Sequence, residues 1–329
     1  MVNWRDGWSL AQVYLGYTRR TTRCSYPPTF LGIETSGSCN LRCVMCPQST
    51  QPQARGLMDF GVFRTAIDEV KGYVINADLF GGGEPLLHPE IVQMVEYASR
   101  AGIRVRLHTN ATRLTEKLST QLINAGVDFL SFSFDGYDKE TYESVRVNAR
   151  FEETLENVKT FLRIKKERNA KKPYTVLQTI EPDGNYRGLR HDFRQQFASL
   201  PLNEFKVIAK HNYGGKVGGL EGVSSKNYSP CTFLWYASFV LWDGTIVPCC
   251  VDWWAEYPLG KVPETKLLDA WNGEMMLELR RKLAQGQYSD VRLCRGCDRL
   301  WRKRYFGVPG RSLNMVKTFV LGHMAGSPR

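Results

Sequence analysis

The 329-residue chain has no apolar run that approaches the ~18 residues needed to cross a bilayer. Its opening stretch, MVNWRDGWSLAQVYLGYTRR, lacks the uninterrupted apolar core and the small-residue cleavage site of a secretory signal. These absences argue against a membrane span and predict a cytoplasmic protein, where thiols stay reduced. Acidic residues are the minority: 33 Asp and Glu against 44 Lys and Arg leave a net charge of +11. Such an excess either favours an anionic partner or serves solubility. The cations are scattered, with short groups at Arg19, Arg20 and Arg23, at Lys165 and Lys166, and at Arg302, Lys303 and Arg304. A basic stripe with interleaved aromatics is missing, as is a recognised RNA module, so nucleic acid is not the expected partner. No internal repeat exists beyond a strand-helix alternation, and no cysteine follows Cys297.

What is present is enough apolar material for a core: 43% hydrophobic and 12% aromatic residues. From residue 30, short β-rich runs alternate with amphipathic segments. The candidate strands are 30–35, 77–82, 103–109, 128–134, 174–180 and 204–210. Between the fourth and fifth, Phe151, Leu155, Val158 and Leu162 fall on one helix face. Six strand-helix units predict an α/β fold, a partial (β/α)6 barrel of TIM type with a parallel sheet. Residues 1–28 would hold a separate amphipathic helix with Trp4, Trp8 and Tyr14, packed on the barrel or lying on a membrane surface. Residues 29–215 would form the barrel and 216–329 a smaller domain. The Gly- and Ser-rich stretch from His211 reads as a linker. Beyond it, FVLWDGTIVPCC reads as a hairpin turning at Asp243-Gly244. A helix then carries Leu268, Trp271, Met275, Leu279 and Leu283 on one face.

Nine cysteines in a reducing compartment point to metal or catalysis before disulfides. SCNLRCVMCPQST packs Cys39, Cys43 and Cys46 into a C-x3-C-x2-C loop. Three thiolates can hold three irons of a 4Fe-4S cube and leave the fourth iron open. A closed structural zinc site wants four ligands. The loop follows the first strand, and so sits at the sheet edge where α/β folds place their chemistry. A zinc knuckle and reduced structural cysteines are the alternatives.

CNLRCVMC resembles the cluster loop of the radical S-adenosylmethionine (SAM) enzymes. GGGEP, residues 81–85, resembles that family's methionine-binding motif. The resemblance assigns Gly82, Gly83, Glu84 and Pro85 to the cofactor, with Glu84 meeting the methionine ammonium. SFDG resembles the S-x-D-G element and assigns Ser133 to the cofactor. HTNA resembles the T-N-G element and assigns Asn110, with Ala111 standing where the family has glycine. Arg146 would face the methionine carboxylate, a partner its planar fork suits. The implied chemistry is reductive cleavage of SAM to a 5′-deoxyadenosyl radical that abstracts hydrogen from substrate, fed by an electron donor such as flavodoxin or ferredoxin.

Four further cysteines, Cys231, Cys249, Cys294 and Cys297, form the pattern C-x17-C-x44-C-x2-C. With Gly244 five residues before Cys249, this resembles the SPASM/Twitch extension of radical SAM enzymes in its short form. The resemblance implies one auxiliary 4Fe-4S cluster with four protein ligands. Cys250 is a rival to Cys249, structural zinc is a rival to the cluster, and Cys24 reads as a small apolar core residue.

Only 38 residues precede Cys39, which predicts no separate leader-binding domain. The short four-cysteine form resembles the radical dehydrogenases of aminocyclitol antibiotic pathways. The expected reaction is oxidation of a secondary alcohol on a small polyhydroxylated or amino-sugar metabolite. His211, Asn212, Tyr213, Asp252, Trp253 and Trp254 are candidates for holding such a ring, with His211 or Asp252 as the base. Peptide modification (epimerisation, crosslinking, maturation) and redox-neutral sugar epimerisation or dehydration are the alternatives.

Overall fold

The fold is taken from a computed structural model that describes residues 4–51, 55–180, 187–218, 227–302, 304–305 and 308–309. All six expected barrel strands form: β1 (Phe30–Ile33), β2 (Asn76–Leu79), β3 (Arg104–Thr109), β4 (Phe129–Ser133), β5 (Tyr174–Thr179) and β6 (Glu204–Val207). Neighbours pair in parallel and in sequence order, as helical crossovers require. The crossovers are α2 (Phe60–Val70), α3 (Ile91–Arg100), α4 (Glu116–Ala125), the pair α5 (Lys139–Val145) and α6 (Phe151–Glu167), and α7 (Arg187–Gln195). Short polar side chains start several of these helices. Asp59 accepts from the Gly61 and Val62 amides, Thr115 from Leu118 and Asp138 from Thr141. Gly126, at φ 91°, closes α4.

Strand alternation separates the two faces of the sheet. Leu31, Ile33, Ala77, Leu79, Val105, Leu107, Leu130, Phe132 and Leu177 share one buried cluster with Phe63, Ile67, Met94, Val95, Leu122, Val158 and Phe161 of the helices. The opposite, inner face carries Asp78, Arg106, His108 and Phe129.

The C-terminal segment joins the barrel through the sheet itself. Ala237–Val240 pairs in parallel with β1, and Thr245–Val247 and Gly260–Lys261 extend the sheet to nine strands. The hairpin turns as expected: Gly244 has φ 89°, and Asp243 accepts from the Thr245 amide at 3.0 Å. A second core gathers Tyr17, Tyr26, Trp235, Trp271, Met276, Leu279 and Leu283 around Cys24, Cys231 and Cys297. Here α1 (Trp4–Thr18) docks, with Tyr17 edge-on to Trp235 at 5.5 Å. Its other end reaches the barrel, where Asp6 pairs with Arg104 at 3.0 Å. Trp4 and Trp8 stay exposed.

Two expectations are corrected. The helix over 268–283 is broken into α8 (Leu267–Trp271) and α9 (Glu274–Ala284). Asn272 is diverted to bond both the amide and the carbonyl of Cys24, at 3.0 and 2.9 Å, and Gly273 restarts the chain as N-cap. The break shifts the apolar face, so Leu267 and Met276 are buried while Leu268 and Met275 are exposed. The Gly-rich stretch is also more than a tether over its first part. Asn212 donates to the Gly296 carbonyl at 2.8 Å, and a Cβ on Gly215 would stand 3.2 Å from the Gly296 Cα. Residues 219–226 of that stretch and 310–329 of the expected smaller domain lie outside the described residues. Among the described residues no helix is long and apolar enough to cross a membrane.

Trp235 joins α1, the C-terminal core and, through its indole N–H, the Thr21 carbonyl at 2.9 Å. Trp235→Ala should cost about 3–5 kcal/mol in denaturant unfolding. A loss under about 1 kcal/mol would mean that these three parts do not share a core.

Candidate functional site

The loops that leave β1, β2 and β3 interlock at the C-terminal edge of the sheet. Cys39, Cys43 and Cys46 lie half-buried on the first of them. That loop is fixed by backbone bonds from Arg42 and Val44 to the carbonyls of Val147 and Val145, both at 3.0 Å. Burial pushes the Cys39 thiol up to about 11, with Glu84 and Cys43 adding to the rise. Burial also raises Cys43 and Cys46, and the three thiols disfavour one another's ionisation pairwise. All three are free, and no three His, Cys, Asp or Glu side chains among the described residues stand in metal-bonding geometry. A set of soft donors that repel one another as thiolates fits an iron-sulfur centre, whose cationic irons remove that repulsion.

The GGGEP loop crosses directly over the cysteine loop. A Cβ on Gly83 would lie 2.1 Å from the Ser36 carbonyl oxygen and 2.4 Å from that of Ser38, so the position accepts only glycine. The Glu84 amide donates to the Ser38 carbonyl at 2.8 Å. Its buried carboxylate accepts from the Leu86 amide (3.0 Å), the Thr109 hydroxyl (2.7 Å) and the Asn110 amide (2.8 Å). Three of its roughly four acceptor positions are thereby used, which leaves room for one further donor. Burial nonetheless raises its pKa. Asn110 in turn donates to Asn40 at 3.1 Å and lies 3.9 Å from the Cys39 sulfur. Ala111 has φ 60°, the left-handed region that explains a glycine at this motif position.

Arg146 caps α5 beneath the cysteine loop. One of its terminal nitrogens donates to Asp135 at 2.6 Å, and its Nε is buried without a hydrogen bond. Burial opposes its charge, yet Asp135 and Cys43 hold its pKa above the usual value. Ser133 stands on the inner face and accepts from Gln178 at 3.3 Å. Gly82 and Pro85 lie on the crossing loop, where the Gly82 amide donates to Glu34 at 2.6 Å. Glu34, Thr109 and Asp135 were not singled out in the sequence. Glu34 had a signal, a lone carboxylate closing the apolar strand FLGI. Asp135 sat within SFDG itself.

The second thiol set assembles from three separate segments. Cys231 precedes a short 3-10 turn, Cys249 ends the hairpin, and Cys294 and Cys297 share one loop. Cys250 hydrogen-bonds Cys249 and, ahead of burial, raises its pKa. Burial first, then Cys231 and Cys297, raises Cys294. Arg299 reaches over this set. Burial opposes its charge, but Cys250, Cys231, Cys249 and Cys297 hold its pKa above the ordinary value. Both Cys249 and Cys250 therefore belong to the cluster of thiols.

Between the two sets, the aromatic groups expected to hold a ring do come together. His211 and Tyr213 are 5.1 Å apart, Tyr213 and Trp253 5.2 Å, and Trp253 stacks on Trp254 at 5.9 Å. The two candidate bases are otherwise engaged. His211 accepts from Arg299 at 2.9 Å through Nε2 and faces Asp298 through Nδ1. Asp252 accepts from the Glu256 and Tyr257 amides at 2.8 and 3.0 Å, which closes a turn.

Residues 33–180 match the radical SAM superfamily, and residues 231–298 match the SPASM iron-sulfur cluster-binding domain. A curated relative, the AdoMet-dependent heme synthase of Methanosarcina barkeri, is 34% identical over 155 residues, covering 46% of this chain and 43% of its own. Among solved structures, BtrN in complex with AdoMet and 2-DOIA aligns over 82% of this chain and 92% of its own, with 18% identity and a TM-score of 0.57. Streptococcus suis SuiB bound to precursor peptide SuiA aligns over 82% and 70%, with 15% identity and a TM-score of 0.63.

Glu34 generates a pH prediction. Burial holds its pKa up at about 7, against an ordinary 4.5, although the Gly82 and Trp242 amides donate to it. A raised pKa stabilises the fold fully below about 4.5, and that contribution is lost as pH climbs through about 7. The loss amounts to about 3 kcal/mol. Glu34→Gln should flatten this slope in unfolding measured from pH 4.5 to 7.5, and an unchanged slope would place the carboxyl in water.

Proposed function

Because the chain is a radical SAM enzyme with a C-terminal SPASM domain, we propose that it oxidises a secondary alcohol of a small polyhydroxylated or amino-sugar metabolite to a ketone. The two domains imply S-adenosylmethionine, a 4Fe-4S cluster that binds it and auxiliary iron-sulfur. Cys39, Cys43 and Cys46 would hold the first cluster, and Cys231, Cys249, Cys294 and Cys297 the second. When bound, the first cluster and S-adenosylmethionine supply a carbon radical able to take a hydrogen atom from substrate.

The protein's own residues orient and enclose. Glu84 offers its remaining acceptor position to the methionine ammonium, and the Arg146 Nε faces the methionine carboxylate. Gly82, Gly83 and Pro85 shape the loop that lets the cofactor approach, while Asn110 and Ser133 line its inner side. Oxidation also releases a proton. His211 would take it only once Arg299 leaves its Nε2, with Asp298 orienting the ring through Nδ1. Asp252 is closed in by backbone amides.

One observation carries the oxidative reading: Arg299 is poised against the second thiol set. A cation beside a four-thiolate centre stabilises whichever state holds more negative charge, and so favours electron uptake. The fold neighbour BtrN, seen with AdoMet and 2-DOIA, supports a small-molecule substrate. An external electron donor, flavodoxin or ferredoxin, would reduce the first cluster. A second reading, peptide modification, is favoured by the likeness to SuiB with its precursor peptide.

Anaerobic reconstitution should give about eight irons per chain, falling to about four when Cys39, Cys43 and Cys46 are replaced by Ala. Saturation at four irons and one zinc would reject the auxiliary cluster. In the double variant Cys294→Ala/Cys297→Ala, 5′-deoxyadenosine should still form with a strong reductant while ketone does not. Full ketone yield from that variant, with circular dichroism unchanged, would reject the electron-acceptor role. An epimer or a modified peptide as the product of the unaltered enzyme would reject the oxidation itself.

A further inference from the structure

Helix α1 is held by the protein on one side and bare on the other. Trp4, Trp8, Ala11 and Leu15 follow one another at spacings of four, three and four. At about 100° per residue they fall within about 60° of arc, so they form one straight stripe. All four are exposed, Trp4 at 85%, Trp8 at 62% and Leu15 at 44%. Asp6, Val13 and Tyr17 lie on the opposite side, and that is the side that docks. Asp6 pairs with Arg104 at 3.0 Å, and Val13 and Tyr17 pack into the second core. The helix is therefore apolar along two faces, and the fold uses only one of them. Tryptophan is on average a well-buried residue type, and a row of exposed apolar side chains marks a place of contact.

Composition, charge and area together say what covers it. Indole and phenol rings have an apolar body and a polar tip, the side chains that settle where hydrocarbon meets water. Tyr14, half exposed, borders the two tryptophans. The charge nearby has one sign. Residues 1–33 hold four arginines, Arg5, Arg19, Arg20 and Arg23, and one acid, Asp6, which is turned to the barrel by Arg104. Arg5 bonds the Gly72 carbonyl and Arg20 stacks on the Tyr17 ring at 4.7 Å. Arg19 and Arg23 are exposed, and the Arg19 amide, bonded to the Leu15 carbonyl at 3.0 Å, continues the last turn of α1. An aromatic side chain covers about 150–250 Å², so two indoles and a leucine at these exposures offer about 400 Å². A stable contact between proteins takes about 800 Å² from each partner. A lipid surface needs neither that area nor a matching shape, because an in-plane helix sinks its apolar side only about 5–10 Å.

We propose that Trp4, Trp8 and Leu15 dock the protein on an anionic membrane surface, with Arg19 and Arg23 meeting the lipid phosphates. The stripe runs about 16 Å along α1, which lies parallel to the surface. Asp6, Val13 and Tyr17 keep the helix fixed to the body of the protein meanwhile. Packing on the barrel and lying on a membrane are thus not alternatives for this helix, since it makes the two contacts on opposite sides. The attachment is peripheral and reversible, as befits a chain whose described helices are too short and polar to span a bilayer. It goes beyond the oxidation proposed above and does not rest on it.

The test is anaerobic flotation of the cluster-loaded enzyme with vesicles of phosphatidylcholine, alone or mixed with phosphatidylglycerol. The enzyme should float with the mixed vesicles and much less with phosphatidylcholine alone. The double variant Trp4→Ser/Trp8→Ser should partition to the mixed vesicles at least about tenfold more weakly, the loss of buried aromatic area. Arg19→Gln/Arg23→Gln should weaken it about tenfold as well, and added salt should do the same to the unaltered enzyme. Melting temperature, iron content and S-adenosylmethionine cleavage should be unchanged in both variants, because these side chains are exposed. No flotation of the unaltered enzyme, or flotation of the tryptophan variant equal to it, would overturn the proposal. Equal flotation with phosphatidylcholine alone would overturn the anionic surface and the role of the arginines. A lipid-free dimer seen by light scattering, and abolished in the tryptophan variant, would put a second copy of the chain on the stripe instead of a membrane.

Discussion

Glu84 is the residue through which three strand-end loops hold one another. Its amide is tied to the cysteine loop after β1, and its carboxylate is tied to the end of β3 by the Thr109 hydroxyl and the Asn110 amide. A fully buried carboxylate is costly unless several donors meet it, and here three do. Those donors exist only if the loops cross at van der Waals contact, and Gly83 permits that by having no side chain. Glu34 repeats the device one strand earlier, joining the Gly82 amide to the Trp242 amide of the C-terminal segment. The cofactor edge is thus a net of short backbone segments whose knots are buried carboxylates. Burial, which raises the pKa of both, makes each knot dependent on the others.

Much of this was legible in the sequence. The six strands announced themselves by β-rich runs, and the helix of Phe151, Leu155, Val158 and Leu162 by its period. The cysteine spacings and GGGEP marked the sheet edge because their chemistry is local: ligands, glycines and a carboxylate within a few residues. The break between α8 and α9 was hidden for the opposite reason. It depends on Asn272 meeting the backbone of Cys24, a contact across nearly the whole chain that no local period records. The packing of His211–Lys216 on the Cys294 loop was hidden by composition. Glycines that signal a flexible tether serve equally where two backbones must touch, as Gly215 and Gly296 do.

The same distinction explains the candidate residues. Glu84 and Asn110 bond one another beside the first thiol set, Arg146 carries a charge that reaches Cys43, and Ser133 bonds Gln178 on the inner face. Their partners Thr109 and Asp135 were in plain view within HTNA and SFDG but have no meaning until β3, β4 and α5 are assembled. His211 and Asp252 stood out because a histidine and an acid near aromatics suit proton transfer. The folded chain occupies their polar atoms with Arg299, Asp298 and the backbone of a turn. A titratable type is a weak signal by itself, because the same carboxylate that accepts a proton also caps a turn.

The sheet's two faces differ in what they bury. On the helix side most strand positions are apolar and sealed, which is where much of the folding free energy of such a domain comes from. On the inner side Asp78, Arg106, His108 and Ser131 occupy positions that β-branched or aliphatic residues would fill if stability alone were selected. Three of their polar atoms make no hydrogen bond, and each is a local cost to the fold. The cost is offset by burial on the other face of the sheet and in the second core around Trp235. The joining of the C-terminal segment to β1 therefore does more than position a second set of thiols. It covers the edge of β1 with backbone hydrogen bonds, so that the barrel sheet and the C-terminal segment share one ladder.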